Sequence, residues 1–288
     1  MRAATFTALT IVALAALFAA TWRERSGDAS FRRLRDADTI RIGYAVEPPF
    51  AYLKEDGTVS GESPEVAKRV LARLGLHHIV WVQTSFDALI PGLESRRFDV
   101  VAAGLFITPE RAARVTFSEP TFHVRPALLV RKDNPRHLAS YRDAVADKHI
   151  RIALLDGAVE EELMRSLGCT EPSLIVVPDA LTGRVAVASG TADALALSSP
   201  SVRWVATHEA SSVTDAVLAA PPRMSASMQQ TGYRSSAFHS ADRSPLAAWN
   251  GALRGWTGSP EHYAILERFG FDRSELPGSA MSTEVLTR

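Results

Sequence analysis

The sequence predicts an α/β protein of two lobes, each a mostly parallel sheet flanked by helices. Three observations predict it. Short β-branched or apolar runs alternate with amphipathic helical stretches along most of the chain, the pattern that builds parallel sheets from crossover units. The chain has 288 residues, 46% hydrophobic and 22% charged, enough for one or two ordinary cores. A change of character at Lys132-Asp133-Asn134-Pro135 separates one strand-helix series from a second.

In the first series, residues 40–45 alternate and are β-branched enough for a strand. That strand stops at Glu47-Pro48-Pro49-Phe50, where the prolines forbid further pairing. Glu47 and Phe50 therefore project from a rigid loop at the carboxyl end of a strand, where open α/β sheets place ligands. Asp56-Gly57 marks a turn. Ser63-Pro64 opens a helix with Val66, Ala67, Val70, Leu71 and Leu74 at helical spacing, ended by Gly75. Residues 79–82 give the next strand, and Phe86 begins a helix with Leu89, Ile90 and Leu93 on one face.

Residues 99–103 give a third strand, which delivers Gly104-Leu105-Phe106-Ile107-Thr108-Pro109-Glu110-Arg111. Thr108 is a good N-cap and Pro109 a good first helical residue, so the backbone N–H groups that follow point outward as an anion site. Arg111 lies in the first helical turn, where the helix dipole disfavours a cation. Its placement points to a ligand carboxylate; pairing with Glu110 or Glu119 on a solvated face is the plain alternative from these residues alone. Residues 126–131 read as an apolar strand leaving the first lobe.

The second series starts with a strand at 150–155. Leu155-Asp156-Gly157-Ala158, followed by Glu160-Glu161-Glu162, is another strand-to-helix turn. Gly157 lets a ligand approach the backbone, and the glutamates read as first-turn partners of the helix dipole. Strands at 174–177 and 194–197 and a helix through 185–188 complete the lobe, with a return to the first near 219–222. Ser244-Pro245 and Ser259-Pro260 open the last two long helices.

The balance of 32 Lys+Arg against 32 Asp+Glu, without a block of like charge, excludes a nucleic-acid footprint. Cys169 is the only cysteine, so there is no internal disulfide, and it has no Cys or His neighbours at metal-ligand spacing. A buried, inert thiol is the expectation. His77 and His78 read as surface or capping residues. No Ser/His/Asp set or phosphate-cradling glycine loop is present, which weighs against an enzyme, and neither cofactor nor metal is expected.

At the N-terminus, Arg2 precedes an uncharged, mostly apolar run at 3–20 and then Thr21-Trp22-Arg23-Glu24-Arg25. This reads as an export signal. An uncleaved anchor is the alternative, because the run is near the lower limit of a spanning helix, roughly 17 to 25 residues. A periplasmic or extracytoplasmic location is expected. The expected organisation is a signal or anchor at 1–21, a linker at 22–37, lobe 1 at 38–131, lobe 2 at 132–220, and the return with C-terminal helices at 221–288.

The octapeptide at 104–111, answered by Phe117-Ser118-Glu119-Pro120, resembles the signature segment of the extracellular solute-binding proteins that feed polar amino acids to ABC importers. The resemblance runs from about Asp38 to Pro277. It implies a two-lobed, type II periplasmic-binding-protein-like fold with a two-strand hinge, binding rather than catalysis, a membrane permease as partner, and a monomer. In that family the arginine matching Arg111 grips the ligand carboxylate.

Two positions depart from the family. A threonine or serine that helps hold the carboxylate is replaced by Phe106, and the usual Asp-Ala-x-x-x-Asp reads Asp193-Ala194-Leu195-Ala196-Leu197-Ser198. The partner of an α-ammonium is missing. Such a site suits a carboxylate whose cation is held otherwise, by the faces of Phe50, Phe86 and Phe106 at about 0.5 to 2 kcal/mol each. Taken singly, each phenylalanine reads as core packing.

The resemblance narrows to the ectoine/hydroxyectoine-binding proteins through Gly43-Tyr44-Ala45-x-Glu47-x-Pro49-Phe50-Ala51-Tyr52, Ala102-Ala103-Gly104-x-Phe106-Ile107-Thr108-Pro109-Glu110-Arg111, Gly157-Ala158-Val159-Glu160 and Gly258-Ser259-Pro260-Glu261-His262. Ectoine is a zwitterionic cyclic amidine bearing a carboxylate. The resemblance implies that Arg111 binds the carboxylate and Glu47 the amidinium, that Phe50, Phe86 and Phe106 enclose the ring, and that Gly157 and Ala158 supply backbone contacts from the second lobe. The stretch 224–239 departs, lacking the Gly-rich aromatic return strand. Rival readings are another amino acid or a quaternary-ammonium solute, a dehydratase of cyclic carboxylates with Glu47 as acid or base, and a membrane-held sensory module.

Overall fold

The computed structural model describes residues 28–207, 213–219 and 232–287. The expected signal or anchor at 1–21 and the start of the linker lie outside the described residues. The first lobe contains α1 (Ser30–Ala37), β1 (Thr39–Tyr44), the small pair β2 (Tyr52–Leu53) and β3 (Val59–Ser60), α2 (Glu62–Leu74), β4 (His78–Gln83), α3 (Leu89–Glu94), β5 (Val100–Phe106), the one-turn α4 (Pro109–Ala112), β6 (Val115–Phe117) and β7 (Phe122–His123). The chain crosses to the second lobe through β8 (Pro126–Arg131), α5 (Tyr141–Ala146), β9 (Ile152–Leu155), α6 (Val159–Ser166), β10 (Leu174–Val177), α7 (Ala180–Ala188), β11 (Ala194–Ser198), α8 (Ser199–Thr207) and β12 (Thr214–Leu218). It returns with β13 (Tyr233–His239), α9 (Arg243–Leu253), α10 (Pro260–Arg268) and α11 (Ser282–Thr287).

Each lobe has its own sheet. The first runs β4-β1-β5-β13-β6, with β7 also paired to β13, and the second runs β10-β9-β11-β8-β12. β1 is parallel to β4 and β5, and β9 is parallel to β10 and β11. The antiparallel strands are those carrying the chain between lobes: β8 lies between β11 and β12, and β13 pairs with β5, β6 and β7.

The parallel strands are apolar because both of their faces are covered; every residue of β5 is buried. On one face of the first sheet, Val66, Ala67, Val70 and Leu71 of α2 pack with Ile40, Ile42, Val100 and Ala102. Full burial of each larger side chain contributes about 1.5 to 3 kcal/mol. In the second lobe Tyr141, Leu163 and Met164 pack on Ile152, Leu154, Ala194 and Ala196, with Cys169 buried beside them and its thiol pushed up by that burial.

The structure revises several boundaries. Residues 126–131, expected to close the first lobe, pair inside the second sheet. A local apolar run specifies a strand but not its partners, and this one fills the antiparallel slot between β11 and β12. Ser30–Ala37, expected within a linker, forms α1, because Phe31 and Leu34 pack against the cluster containing Trp249. Phe86 lies in the turn ahead of α3 rather than opening it. β5 continues through Phe106 because β13 pairs with it there, Arg234 opposite Phe106. Residues 220–231 of the return crossing lie outside the described residues. Among the described residues no helix is long and apolar enough to cross a membrane.

Candidate ligand-binding cleft

The loop after β1 folds back on itself: Phe50 and Ala51 donate their backbone N–H to the carbonyl of Glu47 at 2.9 and 3.2 Å, and Glu47 donates to Ala51 at 2.9 Å. This holds Glu47, 2% exposed, and fully buried Phe50 inside the lobe. Phe50 stacks on Phe122 with ring centroids 5.3 Å apart and planes 8° from parallel. Gly104 makes room for them. Its φ is +62°, and a Cβ there would lie 3.1 Å from the Phe50 ring and 3.2 Å from Phe122.

The space beside Phe50 and Phe106 holds Arg234 of β13. Its guanidinium carbon sits 3.7 Å from the Phe106 ring centroid and 4.1 Å from that of Phe50. Arg234 is 1% exposed and donates from Nη1 to the Gly104 carbonyl at 2.9 Å. Carboxylate oxygens of Glu47 and Glu160 stand 3.8 and 4.0 Å from its Nη atoms, and its Nε has no hydrogen-bond partner among the described residues.

Three buried carboxyl groups face this cation. Burial pushes Glu62 up to about 8 and Glu47 up to about 7, although Arg234 draws both down. Burial raises Glu160 as well, against the pull of Arg234 and Arg111. Glu62 Oε2 accepts from the Ser63 hydroxyl at 2.7 Å, while its Oε1 has no partner within hydrogen-bond distance among the described residues. Glu47 Oε1 accepts from the hydroxyl of Ser201 in the opposite lobe at 3.0 Å.

Arg111 stands at the mouth of this arrangement, half-buried. Thr108 caps α4 as expected, accepting from the Arg111 backbone N–H at 3.2 Å. The guanidinium donates to the carbonyl of Phe106 at 3.3 Å and, across the cleft, to the carbonyl of Gly157 at 3.0 Å. It lies over the Phe86 ring, 5.7 Å from the centroid. Burial, reinforced by the like charge of Arg234, lowers it to about 10. Gly157 has φ +71°, and a Cβ there would lie 3.0 Å from the Asp87 Cα of the facing lobe. Past Phe86 the cleft widens into a cavity of about 740 Å³ between Ala45, Gln83 and Phe86 on one side and Pro178, Thr182 and Val185 on the other.

The structure thus brings together Glu47, Phe50, Phe106, Arg111 and Gly157, with Phe86 against Arg111. Ala158 is the N-terminal boundary of α6, and its buried side chain belongs to the core cluster that includes Phe86. Ser198 is buried, and its hydroxyl has no hydrogen-bond partner among the described residues. Sequence reading missed Arg234, Glu62 and Glu160. Glu160 reads in the sequence as an ordinary first-turn acid, yet it is 4% exposed and turned toward Arg234. The visible signal for Arg234 was the departure at 224–239: a charge inside an otherwise small and aromatic strand.

The family model of bacterial extracellular solute-binding proteins, family 3, matches residues 40–272. The chain belongs to that family. Its two sheets flanked by helices are the two-lobed type II periplasmic-binding fold. A crystal structure of EhuB in complex with hydroxyectoine has a TM-score of 0.80 and 29% identity, covering 91% of this chain and 100% of that one. The probable amino-acid ABC transporter periplasmic-binding protein y4tE of Sinorhizobium fredii is 38% identical over 173 residues, 59% of this chain and 57% of its own length. The chain therefore spans little more than half of that relative. The ancestral amino-acid-binding protein AncCDT-1, a precursor of cyclohexadienyl dehydratase, has a TM-score of 0.71 at 23% identity over 83% of this chain and 99% of its own, a likeness of fold alone.

Proposed function

We propose that the protein is the exported, extracytoplasmic solute-receiving component of an ABC importer and that its solute is a small zwitterion of the ectoine or hydroxyectoine type. One observation carries the finer reading. A planar, delocalised guanidinium rests on Phe50 and Phe106 with carboxylates at its edge, so this box suits the planar amidinium of such a solute. Arg111, whose hydrogen-bond acceptors are backbone carbonyls, is the group for the carboxylate. Charge-assisted bonds to a carboxylate are about twice as strong as bonds between neutral groups. The likeness to the hydroxyectoine-bound EhuB supports the same reading.

In this reading Glu47 accepts from the amidinium, Phe86 covers the ring from the cavity side, and Gly157 and Ala158 bring the second lobe onto the solute. Contacts from both lobes favour the closed form, which a membrane permease then recognises. The protein acts as a monomer and needs no cofactor. Calorimetric titration with ectoine, hydroxyectoine, glycine betaine, glutamine and arginine tests it. Binding of ectoine or hydroxyectoine alone, weakened by Arg111→Ala, is expected. Preference for glutamine or arginine returns the protein to the general amino-acid binders.

A second reading is favoured by the burial that brings Glu47 to about 7, within the range of a general acid or base: dehydration of a cyclic carboxylate. Proton NMR of a solute incubated with the protein separates the two, since a binder returns it unchanged.

A further inference from the structure

We propose that Arg234 is a tethered stand-in for the solute's cation, holding the aromatic box until a planar, delocalised cation displaces it, and that it thereby selects the solute. The inference rests on the zwitterion reading above and adds a residue to it. The likeness is chemical: a guanidinium and an amidinium are both flat cations with N–H groups along the edge and weakly hydrated faces. Arg234 presents its faces to Phe50 and Phe106, and Glu47 stands at its edge.

The manner of holding separates a placeholder from a permanent structural arginine. A guanidinium has five N–H donors, and buried arginines commonly satisfy them with paired bonds to carboxylates. Among the described residues, Arg234 makes one hydrogen bond, to Gly104, and its buried Nε makes none. The distances to Glu47 and Glu160, 3.8 and 4.0 Å, exceed hydrogen-bond reach. Ring faces and the field of the acids hold it, and an incoming amidinium gains the same contacts.

Most of the holding groups belong to the first lobe: Phe50, Phe106, Gly104, Glu47 and Glu62. Arg234 therefore competes at the first encounter, before the second lobe closes. Two cations sharing the box repel strongly in so buried a place, so occupancy is exclusive. An uncharged carboxylate analogue has nothing with which to displace the guanidinium, and a compact, strongly hydrated ammonium is a poorer rival than an amidinium.

The test uses the full chain and Arg234→Ser. Ectoine should bind the variant at least about tenfold more tightly, the equivalent of about 1.4 kcal/mol. In the wild type, the Arg234 Nε–H resonance, shifted by the currents of both rings, should move toward the free-arginine value as ectoine saturates. Methylguanidinium, a planar cation with no carboxylate to engage Arg111, should bind the variant in competition with ectoine but fail to displace the tethered guanidinium of the wild type. Weaker ectoine binding by the variant, or an Arg234 resonance unmoved by bound ectoine, overturns the proposal. If ectoine binds neither protein, the solute assignment fails separately, and methylguanidinium still decides: binding to the variant alone supports a displaceable occupant, and binding to neither refutes it. Should the serine variant not fold, the wild-type resonance decides.

Discussion

Arg111 donates across the cleft to the carbonyl of Gly157 at 3.0 Å, so the side chain proposed for the solute's carboxylate also ties the lobes together. Its removal should cost both functions. Hydrogen bonds to charged groups contribute about 1.5 to 3 kcal/mol, so Arg111→Ala should weaken solute binding by one to two orders of magnitude, roughly 10- to 100-fold. Arg111→Lys should recover little, because an ammonium lacks the planar fork. Titration calorimetry checks this, and a lysine variant binding like the wild type would contradict it.

Gly157 and Gly168 form a matched pair for the closure step. Both have left-handed backbones, φ +71° and +95°, but a Cβ on Gly157 meets Asp87 of the facing lobe while one on Gly168 meets nothing within 4 Å. Each alanine substitution should lower stability by about 1 to 2 kcal/mol through backbone strain. Gly157→Ala alone should also lower solute affinity and reduce the compaction seen by small-angle scattering on adding solute. Equal affinity in the two variants would show that the lobes close without this contact.

Stability should fall as pH rises from the ordinary glutamate range near 4.5 toward 8. Glu47 and Glu62 are raised to about 7 and about 8, so the folded chain keeps protons that the unfolded chain has released. Buried His262, lowered to about 4, acts oppositely below its ordinary value of 6.5, where the unfolded chain gains a proton that the folded chain refuses. The window between about 6.5 and 8 therefore exposes the carboxyl contribution. Urea midpoints across it should slope downward in the wild type and less steeply in Glu62→Gln, where Glu47 still titrates; an unchanged slope would mean that Glu62 does not hold its proton.

Phe122→Ala should destabilise the first lobe by about 3 to 5 kcal/mol, the usual cost of emptying a buried phenylalanine site. The ring is fully buried and stacked on Phe50, so its loss also frees the wall of the cation box. Denaturant unfolding measures the first effect. Solute affinity measures the second, and a folded variant with unchanged affinity would show that Phe50 needs no backing.

Much of the fold was legible because its signals are local. The apolar run at 99–103, the Thr108-Pro109 helix start and the prolines after Glu47 each dictate a backbone course, and the structure follows them. Partners across the sheets were not legible, which is why residues 126–131 read as a first-lobe strand although they pair in the second sheet. The same limit hid much of the cleft. Arg234 reaches the Phe50 and Phe106 rings only because β13 returns antiparallel beside β5, opposite Phe106. Glu62 and Glu160, in the first turns of α2 and α6, look like ordinary dipole partners until both helix starts are seen packed into the interior.

The most direct single measurement is a crystal structure of the full chain grown with ectoine. The expected result has the carboxylate on Arg111, the amidinium between Phe50 and Phe106 with an edge toward Glu47, and the Arg234 guanidinium outside the box. Ectoine bound elsewhere, or an Arg234 still lying on both rings beside bound ectoine, would contradict it.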